Sequence, residues 1–564
     1  MPFTSIAEFR ATESPTPAEE ALIKACQAGD PCVLGDTLPA EGIPTPERHV
    51  RADLLRFLIL GGTQGCGLHP SGIRLNGAHI TEMLDLRFSK AKGSCVLNNC
   101  RFDQKLQITQ AKFAQLNLAG SYVPGISAQY LRVEGDLILR GLISVGTINV
   151  AGSKIGGKFS CIKADIDGLK GDAIGAQGIE TGGGMFLTQL KTMGVVAVNG
   201  AKIGEQLTFE AAHLEGHGVI ALAGQAVEIG ASLSLKKLTT KGTINLTGAK
   251  IGGQFVCVDT NLDGKAGMAL NGQSLRVAEA FIFRKQKTVI GKIDLTAAHV
   301  GALRDGTCSE SVRFHLEGFT YGRISGMSPL TLATRKDWLA RGSRSNDTFH
   351  PQPYTQFAKV LREMGHASEA RKVLMERDCL LFVESHKTNL TALNAARMGN
   401  GSDVGVAWLR YYLLRFWAWF TSRVSGYGHA PQRALFWSLA FMLFGAEWFF
   451  LAWQAGVMVP NSAIILTSPD WLAAMAINHD APSAEWLKLK PSIHYETFYP
   501  PSYAFDVFVP FVSLGQEDAW AATTVTWFGW ATRWFTFLYQ ISGWSITALG
   551  IAAITGFVQK NQPD

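Results

Sequence analysis

Ala151-Gly-Ser-Lys-Ile-Gly-Gly157, Asn199-Gly-Ala-Lys-Ile-Gly-Glu205 and Thr247-Gly-Ala-Lys-Ile-Gly-Gly253 are one phrase repeated at a constant spacing of 48 residues. A decayed fourth copy, Thr296-Ala-Ala-His-Val-Gly-Ala302, arrives one residue late. A second series keeps the same period: Gln129-Tyr-Leu-Arg-Val133, Gln177-Gly-Ile-Glu-Thr181, Gln225-Ala-Val-Glu-Ile229 and Gln273-Ser-Leu-Arg-Val277. The two series interleave, so each repeat divides into two units of about 24 residues. The late copy predicts a one-residue insertion between Val277 and Thr296, in a turn.

Within each unit a short alternating stretch follows a glycine, as in Lys158-Phe-Ser-Cys-Ile162, Gln206-Leu-Thr-Phe209 and Gln254-Phe-Val-Cys-Val258. Alternation at period 2 marks a strand with one buried face. Repeated units that stack like on like describe a solenoid whose coils touch only their neighbours. Phe159, Leu207 and Phe255 are expected in one interior ladder, with Cys161, Phe209 and Cys257 in the next. Gly156, Gly204 and Gly252, where the chain turns into each strand, are expected in conformations costly for other residues. The fold class is therefore mixed: an N-terminal right-handed β-helix-like solenoid with a helical cap, an α-helical hairpin connector, and a C-terminal α-helical transmembrane domain.

The predicted boundaries are a cap over 1–65, the solenoid with its 48-residue repeats over 66–325, the connector over 326–400 and the membrane domain over 401–564. Helical spacing in 17–26 and 48–60 supplies the cap that an open solenoid end needs. In the connector, Pro353–His366 and Ala367–Arg377 read as two helices joined at Gly365, with Phe357, Val360 and Leu361 on the inner face. The glycine-rich stretch Gly61–Gly67 lacks the Gly-Lys-Ser/Thr ending of a phosphate loop and follows a helical pattern, so it is read as a loop.

The chain has 564 residues, of which 17% are charged, a low share for a soluble protein. Tryptophans crowd its last third: Trp408, Trp417, Trp419, Trp437, Trp448 and Trp453, then Trp527, Trp530, Trp534 and Trp544. Such belts suit a membrane interface. Residues 405–423 carry Arg410 and Arg415 within an apolar run and read as an interfacial helix. Residues 434–459 and 534–558 each exceed the ~20 needed to span the hydrocarbon core. Residues 503–516 are too short to span and contain Asp506 and Pro510. They read as a re-entrant or surface segment in an extracytoplasmic loop. Arg410, Arg415, Arg423 and Arg433 precede the first span and Lys560 follows the second. The loop between the spans is acidic, which places both termini in the cytoplasm.

The net charge of +6 is spread along the chain, with no basic run interleaved with aromatics, which argues against a nucleic-acid partner. Nine cysteines form no Cys-x-x-Cys pair and no His-flanked cluster, so no disulfide framework and no metal site is expected. Cys161 and Cys257 read as small buried hydrophobes. No catalytic, cofactor-binding or metal-ligating set stands out. The residues assigned to a candidate ion pathway are Glu447, Asp506, Ser513, Gly515, Gln516 and Glu517. Each has a plain alternative: Glu447 a hydrogen bond to Gln540 or Ser542, Asp506 a cap at the first turn of a short helix, Gly515 and Gln516 a turn. Gly543, Thr547 and Gly550 form a small-residue stripe for helix packing on the first span or on another copy.

The order span, half-dipping segment, span resembles the pore module of the potassium-channel superfamily, although Val512-Ser-Leu-Gly-Gln516 stands where that family has Thr-Val-Gly-Tyr-Gly. Ser425-Gly-Tyr-Gly428 ahead of the first span looks like bacterial pentapeptide-repeat proteins fused to such a module. The Gln352–Ala358 connector and the Leu514-Gly-Gln-Glu-Asp518 loop resemble bacterial solenoid proteins often catalogued as membrane-associated oxidoreductases. These resemblances imply a bacterial protein; with the two spans it is expected as a multi-pass protein of the inner membrane, and as a homo-oligomer because two spans enclose little by themselves. The expectation is a cytosolic solenoid for recognition or assembly, with a protein or small-ligand partner, coupled to a two-span, ion-conducting membrane domain. The alternatives are a non-conducting anchor or scaffold and, behind it, an oxidoreductase.

Overall fold

The computed structural model describes residues 3–62, 66–306, 312–345, 348–398 and 404–554. Cys308, part of the Gly61–Gly67 stretch, and the last four residues of the predicted second span lie outside them. Two compact units divide the chain, Met1–Ala370 and Arg371–Asp564.

The first unit is a β-solenoid of about 11 turns over 72–324. Its strands lie in two long parallel sheets, with each strand in register with its counterpart one coil on. One ladder runs Leu137, Phe159, Met185, Leu207, Leu233, Phe255, Phe281. Phe159, Leu207 and Phe255 thus share a ladder as expected, with one coil between each pair, and all are buried. Cys161, Phe209 and Cys257 are also fully enclosed.

The coils are not equal. A left-handed corner falls at Tyr130, Gly152, Gly178, Gly200, Ala226, Gly248 and Ser274, so successive coils measure 22 and 26 residues in turn. That alternation produces the period of 48. The longer coils carry four extra residues, as at Gly168–Gly171, where the register between Asp167 and Asp172 breaks against its neighbour. The late fourth repeat is explained as well. Arg284 pairs with Val258 and Thr288 with Asn261, so the added residue lies in the turn over 285–287.

The expectation for Gly156, Gly204 and Gly252 needs correction. Their backbones are ordinary; the left-handed positions are Gly152, Gly200 and Gly248, four residues earlier. What Gly204 cannot tolerate is bulk, because a Cβ there would lie 2.2 Å from the carbonyl oxygen of Gly182 on the preceding coil. Gly200 has open space and pays only for its dihedral angle. Gly200→Ala is therefore expected to cost ~1 kcal/mol, and Gly204→Ala ~1–3 kcal/mol through forced separation of two coils. Thermal unfolding of the two variants checks the order.

Both solenoid ends are closed. At the start stand α1 (Ile6–Thr12), α2 (Pro17–Ala28) and α3 (Ala52–Ile59). Helix α1 was not foreseen, and the predicted helix over 48–60 begins as a strand, His49–Arg51, pairing with His79–Thr81. Fully buried Glu19 takes a 2.7 Å ion pair from Arg51. Its carboxyl sits below the usual range because hydrogen bonds from Arg51 and Thr16, with the Arg51 charge, outweigh the opposing and largest single effect, burial. At the far end come α4 (Leu332–Gly342) and α5 (Gln352–Glu363). Gln352 accepts from the Gly318 N–H (3.0 Å) and donates to the Phe319 carbonyl (3.1 Å); Gln356 donates to the Tyr321 carbonyl (2.7 Å). These amides satisfy the open edge of the last coil. Gly365 is left-handed and ends the hairpin's first helix; α6 (Ala367–Met398) runs far beyond the predicted end at Arg377.

The second unit is helical: α7 (Val404–Val424), α8 (Pro431–Gln454), α9 (Ala463–Leu466), α10 (Pro469–Ile477), α11 (Pro482–Trp486), α12 (Pro500–Phe508), α13 (Gln516–Ala519) and α14 (Trp527–Ile554). Among the described residues one helix, α8, is long and apolar enough to cross a membrane. The predicted span 434–459 overshoots it. The apolar run continues past Gln454, but left-handed Gly456 breaks the helix, and Met458–Pro460 pairs antiparallel with Trp520–Ala522.

Candidate functional site

Helices α8 and α14 form an antiparallel pair. Space for a side chain at Gly445 is taken by the Tyr539 ring, while Gly550 meets Ala434 near the opposite end. Helix α12 packs against both. Its Tyr503 meets Phe449 (4.7 Å between ring centroids), and its last residue, Phe508, meets Phe441 (6.3 Å) and Tyr539 (5.2 Å). From the level of Phe449 to that of Phe441 is roughly 12 Å of helix. The segment therefore enters beside the end of α8 and reaches its middle at Phe508. It then returns to the same end, where Trp520 packs on Trp453 (5.2 Å).

The predicted pathway residues separate into two groups. Asp506, Gly515, Gln516 and Glu517 come together where the segment returns. Asp506 does not cap the first turn of its own helix; from the last turn it accepts from the N–H groups of Leu514 (2.7 Å) and Glu517 (2.9 Å), fastening the return loop. Gly515 is a left-handed turn residue. Buried Gln516 donates to Glu496 (2.8 Å) and the Thr497 carbonyl (3.0 Å) and accepts from the Tyr499 N–H (3.0 Å). Both residues are committed to holding the loop. Glu517 lies half-buried beside Gln540 (3.3 Å). Burial first, then the charges of Asp506 and Asp518, raises its carboxyl above the ordinary value. Ser513 is exposed.

Glu447 stands apart. It lies on the exposed face of α8 among Leu443, Phe444, Phe450 and Leu451, and it bonds to neither Gln540 nor Ser542. In the small-residue stripe, a Cβ on Gly543 would strike the Phe508 carbonyl oxygen at 2.1 Å, so Gly543 accommodates α12, and Gly550 accommodates α8. Thr547 is half-buried between them.

The solenoid offers a second surface, a groove of about 1070 Å³ floored by Gly156, Gly182, Gly204, Gly230 and Gly252. Along its wall the charges alternate: Lys154, Glu180, Lys202, Glu228, Lys250. Lys154 pairs with Glu180 (2.7 Å) and Lys250 with Glu228 (2.8 Å), so both acids of this wall are paired, and Arg276 follows Lys250 in register. Among the described residues no group of His, Cys, Asp and Glu could hold a metal ion. Burial pushes the Cys26 and Cys95 thiols up to about 12, against thiolate chemistry there.

No family model, no curated protein and no solved structure matches this chain. The fold and the site define its class: a capped β-solenoid and a helical unit with, among the described residues, one helix long and apolar enough to cross a membrane.

Proposed function

We propose that the chain is a membrane-anchored recognition protein, with α8 and α14 crossing the bilayer, residues 500–516 re-entering from the far side, and the solenoid in the cytosol. The observation that carries this reading is the outer surface of the helical unit. Leu435, Phe436, Leu439, Leu443, Leu538 and Ile541 are all more than half exposed, an apolar belt that water disfavours and lipid tails accept. The indole belt on α14, with Trp527, Trp530 and Trp534 exposed near its start, fits the interface. Alkaline carbonate should leave the protein in the membrane pellet. A cysteine replacing Glu485 should react with an impermeant thiol reagent in intact cells, and one replacing Pro563 should not. Release by carbonate sinks the proposal, and the reverse labelling pattern inverts its topology.

Glu447 favours a second reading, ion conduction by an assembly of several copies. A carboxyl facing lipid is expensive and calls for a partner or water. Reconstituted protein should then pass cations, and Glu447→Gln should change that flux. Asp506→Asn is a poor probe, since it removes an acceptor that fastens the loop. Silent liposomes from a protein that is monomeric in detergent leave the anchor reading standing.

A further inference from the structure

The charge ladder on the solenoid changes character toward the N-terminus. Where Lys154 to Lys250 alternate in sign, the preceding coils set Lys90, Lys112 and Arg132 in register with one another and with Lys154. Paired parallel strands lie about 4.8 Å apart, so the backbone positions that carry these cations are stacked at that spacing. Like charges directly opposite across a strand pair are destabilising. All four are exposed, and only Lys154 has an ion-pair partner; among the described residues no acid pairs with Lys90, Lys112 or Arg132. Glu134, two residues beyond Arg132, makes no ion pair with it.

Two further observations fall on the same coils. A concavity of about 450 Å³ is lined by Gln110, Lys112, Tyr130, Arg132, Gly152 and Lys154, a volume suited to a small molecule. Tyr130 occupies the left-handed corner (φ 55°) that glycine fills at 152, 178 and 200. It lays its ring over Gly152 and leaves the side chain 63% exposed. Bulky residues hold left-handed corners elsewhere in the solenoid too, as at Lys163 and Lys237, so it is the exposed ring beside the cations that marks Tyr130.

We infer that this concavity binds a phosphorylated small molecule with a planar ring, of the nucleotide class. Lys112 and Arg132, the cations without an acidic partner, hold the phosphoryl oxygens, and Tyr130 carries the ring. Arginine and lysine so placed give charge-assisted hydrogen bonds to phosphate, and the anion relieves the repulsion that the free ladder carries. This surface belongs to the solenoid and does not depend on how the helical unit meets a membrane.

The test uses the full chain in detergent with ADP, adenosine and inorganic phosphate as probes in equilibrium dialysis. ADP should bind saturably, phosphate more weakly, and adenosine least; added salt should weaken ADP binding. Lys112→Glu should reduce ADP affinity roughly tenfold or more while keeping or raising the thermal midpoint, because the signs then alternate through Arg132. Tyr130→Ala should weaken ADP toward the level of phosphate. Lys202→Ala, in the alternating stretch, should leave binding unchanged. The inference fails if ADP shows no saturable binding at millimolar concentration. It also fails if Lys202→Ala costs as much as Lys112→Glu, if Lys112→Glu lowers the thermal midpoint, or if a single-stranded oligonucleotide binds far more tightly than ADP.

Discussion

Replacing Arg335 by alanine is expected to destabilise the solenoid unit by about 3–5 kcal/mol, because it strands a buried carboxylate. Arg335 is 2% exposed and grips Asp305 with both terminal nitrogens, one of them at 2.7 Å. Its Nε donates to the Pro329 carbonyl (3.0 Å), and its guanidinium lies 4.8 Å over the Trp338 ring. Asp305 ends the strand His299–Asp305 near the C-terminal end of the solenoid, and its N–H donates to Ser328 (3.0 Å). The pair therefore ties α4 to the last coils. Breaking it leaves the charge of Asp305 without compensation and loosens the cover over strand edges, which invites association. The paired replacement Arg335→Met with Asp305→Leu removes both charges and should recover most of the loss, as buried ion pairs commonly exchange for apolar contacts without penalty. Thermal unfolding of the three proteins decides. An Arg335→Ala variant within about 1 kcal/mol of the parent (roughly a fivefold change or less in the unfolding equilibrium) would remove the pair from the cap's energetics.

The solenoid was readable from sequence because stacking in register demands similar side chains at each turn, and Lys-Ile-Gly at 48-residue spacing is the direct imprint of that demand. The inequality of the coils was hidden because averaging 22 and 26 gives a plausible unit. The four added residues at Gly168–Gly171 look like any polar turn. The basic ladder escaped for a related reason. Lys90, Lys112, Arg132 and Lys154 are about one coil apart in sequence, so no local run signals them, and only the register brings them together. In the helical unit, length and the proline within 503–516 rightly excluded a span. The end of α8 was misplaced because apolar residues continue through Gly456 into a strand whose partner lies some sixty residues on. The tasks of Asp506 and Gln516 depend on that same return of the chain. The outward aim of Glu447 depends on which face of α8 receives α12 and α14, which a single helical pattern does not specify.

Phe255→Ala should be the most damaging single truncation within the repeats, costing about 3–5 kcal/mol. Phe255 is fully buried, in register with Leu233 on one side and Phe281 on the other. Its ring stacks on Phe281 with centroids 4.8 Å apart and planes 12° from parallel, and Phe283 continues the aromatic cluster at 6.1 Å from Phe281. Alanine would remove the whole ring from a position where flanking coils, fixed by backbone bonds on both sides, cannot close in. Leucine is another matter. The ladder already holds Leu207 and Leu233 in the equivalent place, so Phe255→Leu keeps the shape class and should cost less than about 1.5 kcal/mol. Coils of a solenoid contact only their neighbours, so the loss should be local. Hydrogen exchange in Phe255→Ala should accelerate in the strands at Leu233, Phe255 and Phe281 while amides at Leu116 and Leu137 keep their protection. Uniform acceleration along the solenoid would mean that it unfolds as a single cooperative body, and the nearest-neighbour account of its stability would fall.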